Sequence, residues 1–294
     1  MAKQPSLRRR RVVAALKRLR EEAGLTMIQA GQKAGFSQSK LSRVEGLEVG
    51  ISGDDTRTLC EIYGVDKGTT DALAELARHS RKRGWWHVYS DDVLLKFVDF
   101  VELETDARSV CSFQTDLILG LLQTDNYAEA VIRHGYPNAN DETIATRVEL
   151  RAERRQHWNK EGFELWSIVD ESALRRPIGG AETMAEQLDH LVSIAAHPKV
   201  TLQVLPINIS GHMALGVPYT IINLKDKAAF VNLETLTGGL YLEDDADVHQ
   251  YDLAWSRLSA TALDFDRSLA LIKRIAREHR RGHGKQPHLA EEQP

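Results

Sequence analysis

GLTMIQAGQKAGFSQSKLSRVEG, residues 24–46, decides the fold of the first part of the chain. Thr26-Met27-Ile28-Gln29 fits a capping box, in which Thr26 accepts from the third amide of a helix and Gln29 reaches back to the cap. That helix is short and stops at Gly35, a residue that tolerates the left-handed conformation a tight turn needs. Ser37 caps a further helix running to about Glu45. On it Leu41 and Val44 stand three apart and share one face, while Gln38, Ser39, Ser42 and Arg43 project from the others. A polar face is ordinary on a surface helix. Two capped helices joined by Gly35-Phe36, with Gly31 as the small residue where they cross, read instead as a helix-turn-helix.

Outward from this stretch the pattern stays helical. Leu7–Ala23 carries Val12, Leu16, Leu19 and Ala23 at spacings of four, three and four, and Gly24 ends it. Ser52-Gly53-Asp54-Asp55 opens a helix over Asp55–Tyr63, closed by Gly64, and a fifth spans roughly Thr70 to Lys82. Residues 7–82 therefore read as an all-α domain. Charge agrees: residues 1–84 carry 17 Lys+Arg against 10 Asp+Glu, whereas the rest carries 21 against 32. A basic head on an acidic body points to a nucleic-acid partner for the head and another task for the body. The four-arginine run Arg8–Arg11 is open to two readings, a solvated helix start or an arm reaching a neighbouring minor groove.

GLTMIQAGQKAGFSQSKLSRVEGLEVGIS, residues 24–52, resembles the phage-repressor-like, XRE-type helix-turn-helix proteins, with Gly24-Leu25-Thr26, Gly35, Ser37-Gln38-Ser39-Lys40, Ser42-Arg43 and Glu45 in register. The resemblance implies sequence-specific binding to a double-stranded DNA operator. It makes Gln38, Ser39 and Arg43 the base readers, since Gln suits adenine and Arg suits guanine bidentately. Lys40 then contacts a phosphate or a base, Arg57 is a weaker phosphate contact, and Thr26 and Ser42 complete the DNA-facing set. Glu45 is expected to pair inside the domain, because a carboxylate near phosphates is repelled. Met27 departs from the pattern where Gln often meets phosphate. Ala30 and Ala34 stand where Leu is common, which predicts a thinner core and a weaker or retuned binder.

From Trp85 onward, β-rich runs at Ser109–Leu117, Phe163–Val169, Val200–Ile207, Val217–Leu224 and Ala229–Leu233 mix with helical patterns at Asn126–His134, Asp141–Asn159, Ala181–Ala196, Asp247–Ala262 and Asp266–His279. The whole is a multi-domain chain, an all-α helix-turn-helix domain followed by a larger α+β domain over 85–279 and a disordered tail over 282–294. Val217–Leu224 and Ala229–Leu233 read as a hairpin across Lys225–Lys227, and Thr237-Gly238-Gly239 as a tight turn. Trp85-Trp86 marks the joint between the domains.

GWWHVY (84–89), ILGLLQTDNYAEAVI (118–132), RVELRAERRQ (147–156), VDESALRRPIGG (169–180), VTLQVLPI (200–207) and ETLTGGLYLE (234–243) are similar to a C-terminal domain of uncharacterised function. That domain follows an XRE head in many actinomycete regulators described as antitoxin-like. The resemblance implies a dock for a small protein encoded nearby; beside it stand a body that forms a homodimer and, as the alternative, a one-component regulator sensing a small molecule. Gln123, His212, Glu234 and Tyr241 are the candidate pocket, beside the blander readings of Gln123 and Thr124 as helix caps and His212 as a loop histidine.

With 42% hydrophobic and 27% charged residues the composition is ordinary for a globular protein. Nothing approaches the roughly 20 apolar residues of a membrane span, and MAKQPSLRRRR lacks the apolar core of a signal peptide. A cytoplasmic protein without membrane contact is expected. Cys60 and Cys111 stand far apart, so no disulfide framework or Cys-rich metal site is expected, and no cofactor. GxxxxGK[ST], HExxH, GxSxG and CxxC are all missing, and Asp170-Glu171 point to opposite sides if on a strand. The expectation is a chain that is not an enzyme.

Overall fold

The structure, a computed structural model, describes residues 7–80, 98–158, 162–224, 228–235 and 238–282. The chain divides into two compact units, Met1–His87 and Val88–Pro294. Trp85-Trp86, the hairpin connection 225–227 and residues 283–294 lie outside the described residues.

Five helices make the first unit: α1 Leu7–Glu22, α2 Met27–Ala34, α3 Gln38–Glu45, α4 Gly53–Tyr63 and α5 Lys67–His79. Their ends are local chemistry. Thr26 and Gln29 form both halves of the capping box, and Gly35 closes α2 at φ 67°. Ser37 accepts from the Lys40 amide, Ser52 from Asp55 and Asp66 from Thr69. Helix α5 begins three residues before the position expected from periodicity, because Asp66 is the cap and its polar first turn hides the start. Gly31 is buried, but a Cβ there would stand 3.4 Å from the Phe36 carbonyl oxygen. Its smallness serves the turn's own backbone.

Val12, Leu16, Ala30, Leu41, Val44 and Leu59 belong to one core, against which Ala34 and Phe36 pack. Burying six such side chains is the main stabilising term, each contributing up to about 1.5–3 kcal/mol for the larger ones. A buried ion pair adds orientation: Arg20 Nε lies 2.7 Å from Glu45 Oε1, Nη2 donates to Oε2 at 2.9 Å, and Nη1 donates to the Leu25 carbonyl at 2.8 Å. Glu45 thus pairs inside the unit. The arginine run is built into α1: Arg8 is buried and Arg9 donates to the Leu47 carbonyl at 2.7 Å.

The second unit is α+β. Helix α6 Val98–Asp106 leads into β1 Ala107–Gln114, then a 3-10 turn Gly120–Leu122, α7 Asp125–Gly135 and α8 Asp141–Trp158. Strand β2 Glu164–Asp170, α9 Glu171–Arg175, α10 Ala181–Ile194 and β3 Val200–Leu205 follow, then β4 Tyr219–Leu224, β5 Ala229–Thr235, β6 Gly238–Leu242, α11 Asp245–Thr261 and α12 Phe265–Gly282. The six strands run in the order β3-β2-β1-β4-β5-β6. Strands β1, β2 and β3 are parallel, and the rest pair antiparallel.

Two readings change. The glycines Gly238 and Gly239 are not a turn; they pair with Thr235 and Glu234 as the start of β6. A Cβ on Gly239 would come within 2.5 Å of Asn232 Oδ1, so the missing side chain admits the Asn232 amide. Helix α6 also carries no signal strong enough to separate it from the strand it runs into without a break.

Candidate nucleic-acid interface and a charged cleft

Helix α3 is held by its apolar side and leaves the opposite one to solvent. Leu41 and Val44 are buried, while Ser39, Ser42 and Arg43 are exposed. Gln38 opens the helix. The Arg43 guanidinium pairs with Glu48 at 3.5 Å, and both side chains are well solvated, so the pair restrains it little. An exposed guanidinium on a rigid, doubly capped helix-turn-helix is free to fork onto a base edge.

The other positions are more committed. Lys40 Nζ sits 3.0 Å from Asp55 Oδ1 and 3.8 Å above the Phe36 ring centre, so meeting DNA means exchanging both partners. Arg57 Nη2 is 2.7 Å from Asp71 Oδ1 and its Nη1 is sealed from solvent, which makes it a brace between α4 and α5. Thr26 Oγ1 is engaged with Gln29 in the capping box.

In the second unit the structure separates the four proposed pocket residues. Successive side chains on a strand face opposite sides of the sheet. Phe113, Tyr219, Ile221 and Val231 face a core with Trp255 and Leu258 of α11, and the His212 ring stacks edge-on against Phe113 at 5.2 Å. Gln114, Thr220, Asn232, Glu234 and Tyr241 occupy the other side by register. His212 therefore cannot share a pocket with Gln123, Glu234 and Tyr241: the sheet lies between them. A one-residue alternation is enough to part them, and the loop carrying His212 had no periodicity to reveal its side.

Gln123 and Glu234 line one cleft of about 770 Å³, counted out to its open mouth. Gln123 is spent on the fold. It donates to the Ile118 carbonyl at 2.7 Å and accepts from Arg151 Nη1 at 2.8 Å, while Thr124 caps α7 and its own amide donates to Gln187. The stretch LLQT is thus a knot tying the 3-10 turn to α7, α8 and α10.

The charges of the cleft come from residues the sequence reading passed over. Arg147, Arg151 and Arg154 of α8 all line it. Arg154 makes a two-pronged contact with Glu104 of α6, at 2.7 and 2.8 Å, both side chains buried. The Arg147 guanidinium lies 4.0 Å over the Tyr136 ring. Arg151 has no carboxylate partner among the described residues. Burial, and then its neighbours Arg154 and Arg147, push its pKa down to about 10. The signal was present in RVELRAERRQ, where arginines at i, i+4 and i+7 fall on the same helix face as Leu150. Charge on an otherwise core-facing stripe was the clue.

Asp170 caps α9 through the Ser172 amide, and Glu171 binds Arg175 and the Ile207 amide. Burial raises both cysteine thiols, Cys111 to about 11, so neither supplies a thiolate near neutrality. Among the described residues no group of three or more His, Cys, Asp or Glu is placed to hold a metal ion, and no helix is long and apolar enough to cross a membrane.

Residues 97–274 match the family model described as a domain of unknown function (DUF5753), and residues 11–83 match one described as a helix-turn-helix domain. No curated protein and no solved structure matches the chain.

Proposed function

We propose, from the premise that this chain belongs to the DUF5753 family and carries a helix-turn-helix domain, that it is an XRE-type, sequence-specific transcriptional regulator. The observation that carries the reading is α3, anchored through Leu41, Val44 and the Arg20–Glu45 pair while Arg43, Ser39 and Ser42 stay exposed. In this reading the regulator works in the cytoplasm as a homodimer, so two recognition helices about 34 Å apart would meet a pseudo-palindromic operator. It is not an enzyme and uses no cofactor, in keeping with the structural employment of Asp170, Glu171 and the two thiols.

A footprint on the DNA upstream of its own reading frame, repeated across salt concentrations, tests this. Protection of a discrete inverted repeat is the expected result; diffuse protection erased by moderate salt would sink it. Arg43→Ala should weaken operator binding by about 1–3 kcal/mol and relax preference at one base pair. An equal loss on random DNA would instead make Arg43 a phosphate contact.

For the second unit the charged cleft favours sensing: a ligand there shifts the population of DNA-competent dimers. A second reading, antitoxin-like docking of a small protein encoded nearby, is favoured by the loop between β3 and β4. There Ile207, Met213, Leu215 and Val217 are all exposed. Co-purification of such a protein, lost when Leu215 is changed to Asp, would select docking.

A further inference from the structure

We infer that the cleft beneath α8 binds a small organic monocarboxylate, with its acid group on Arg151 and its polar far end on Asn232. The inference rests on the sensing reading of the second unit and gives that site a ligand class. Among the described residues Arg151 is engaged through Nη1 alone, by the Gln123 oxygen at 2.8 Å and the Ala128 carbonyl at 3.3 Å. Its Nε and Nη2 have no partner among the described residues, which leaves the fork that matches a carboxylate open. A cation held in place while burial lowers its pKa is stabilised by a bound anion.

The charge balance selects a monoanion. Arg154 is neutralised by Glu104, which leaves Arg151, without a carboxylate partner among the described residues, as the cation open to a ligand beside Glu234. One open cation is enough for a carboxylate and too little for a phosphate dianion beside Glu234. Leu117, Ile132 and Leu150 supply an apolar wall, so the acid carries a hydrocarbon or aromatic body.

The far end is set by Asn232. An adjoining recess shares Gln114, Leu117 and Glu234 with the cleft and is lined by Asn232 and Thr220. Asn232 is only 2% exposed, yet its Oδ1 has no hydrogen-bond partner and its amide nitrogen has none among the described residues. Buried amides are seldom left so, and a ligand hydroxyl donating to Oδ1 at this point satisfies it.

Calorimetric titration of the full chain tests the assignment with 4-hydroxyphenylacetate, 4-hydroxycinnamate, 8-hydroxyoctanoate and indole-3-acetate, each with a donor at its far end for Asn232. Each acid is paired with its uncharged amide, and inorganic phosphate is titrated alongside. At least one acid should bind, with its amide at least tenfold weaker and phosphate silent. Arg151→Met should weaken that acid about 10- to 100-fold, the range of a charge-assisted hydrogen bond. Glu234→Gln, at an exposed position and so harmless to folding, should tighten it about 3- to 10-fold by removing a repelling charge. Acids and amides binding alike, no acid binding, phosphate binding in preference, or Glu234→Gln without effect would each overturn the inference. A footprint with and without the acid separates the two readings. Protection without acid binding leaves the regulator standing and removes the ligand. Acid binding with no protection in either condition removes the regulator alone.

Discussion

Glu104→Ala should lower the stability of the second unit by about 3–5 kcal/mol, the usual result of stranding one partner of a buried ion pair. Arg154 directs both Nε and Nη2 at this one carboxylate, and neither side chain is more than a tenth exposed. Without Glu104 the guanidinium would face the Phe100 ring, 5.2 Å away, and the arginines already lining the cleft. Its attraction to the ring recovers only a fraction of the desolvation penalty. Urea unfolding followed by circular dichroism reads the change directly. The companion double variant Glu104→Leu with Arg154→Met should regain most of the loss, since a packed apolar pair avoids the buried charge altogether. A Glu104→Ala midpoint within about 0.5 kcal/mol of the parent would show the pair to be solvated, and the charge balance argued for the cleft would fail with it.

Glu45→Ala should destabilise the first unit by about 3 kcal/mol, for the same reason at a place that matters to recognition. The pair is 9% exposed on both sides, and the Glu45 hydrogen bond is the leading cause of the raised Arg20 pKa. Glu45 is the last residue of α3, so it fixes the C-terminal end of the proposed recognition helix to α1. A unit of this size has little stability to spare, and each kcal/mol moves its melting temperature by roughly 4–8 °C. The variant's footprint should match the parent's well below its melting point and vanish near it, because Glu45 holds the helix without facing the groove. Tighter DNA binding at unchanged stability would mean the opposite: a surface carboxylate repelling phosphate.

The helix-turn-helix was legible because its signals are local. Thr26 with Gln29, Ser37 with the Lys40 amide and Gly35 at positive φ each act within three or four residues. Such contacts survive any tertiary arrangement and can be read in order along the chain. The apolar runs of the second unit were legible too, whereas α6 and the glycine-led β6, with no such run, were not. Recognition residues were less secure. The sequence presents Lys40 as a phosphate or base contact and Arg57 as a weaker phosphate contact, yet Asp55 and Asp71 engage them from other helices.

By itself, then, the sequence determined that a capped helix-turn-helix precedes a larger α+β unit, and which polar residues ride on α3. Only the tertiary structure decided the strand order β3-β2-β1-β4-β5-β6, the side of the sheet each pocket candidate faces, and which charges are neutralised. The reason is range. Caps and periodicity are properties of neighbours in sequence, whereas Arg154 meets Glu104 across 50 positions and Ser112 meets Thr220 across 108. Strand register puts Glu234 on the face away from Phe113, against which the loop residue His212 stacks, and a shift of one residue would exchange the two faces. Composition cannot specify that register; packing both faces at once does.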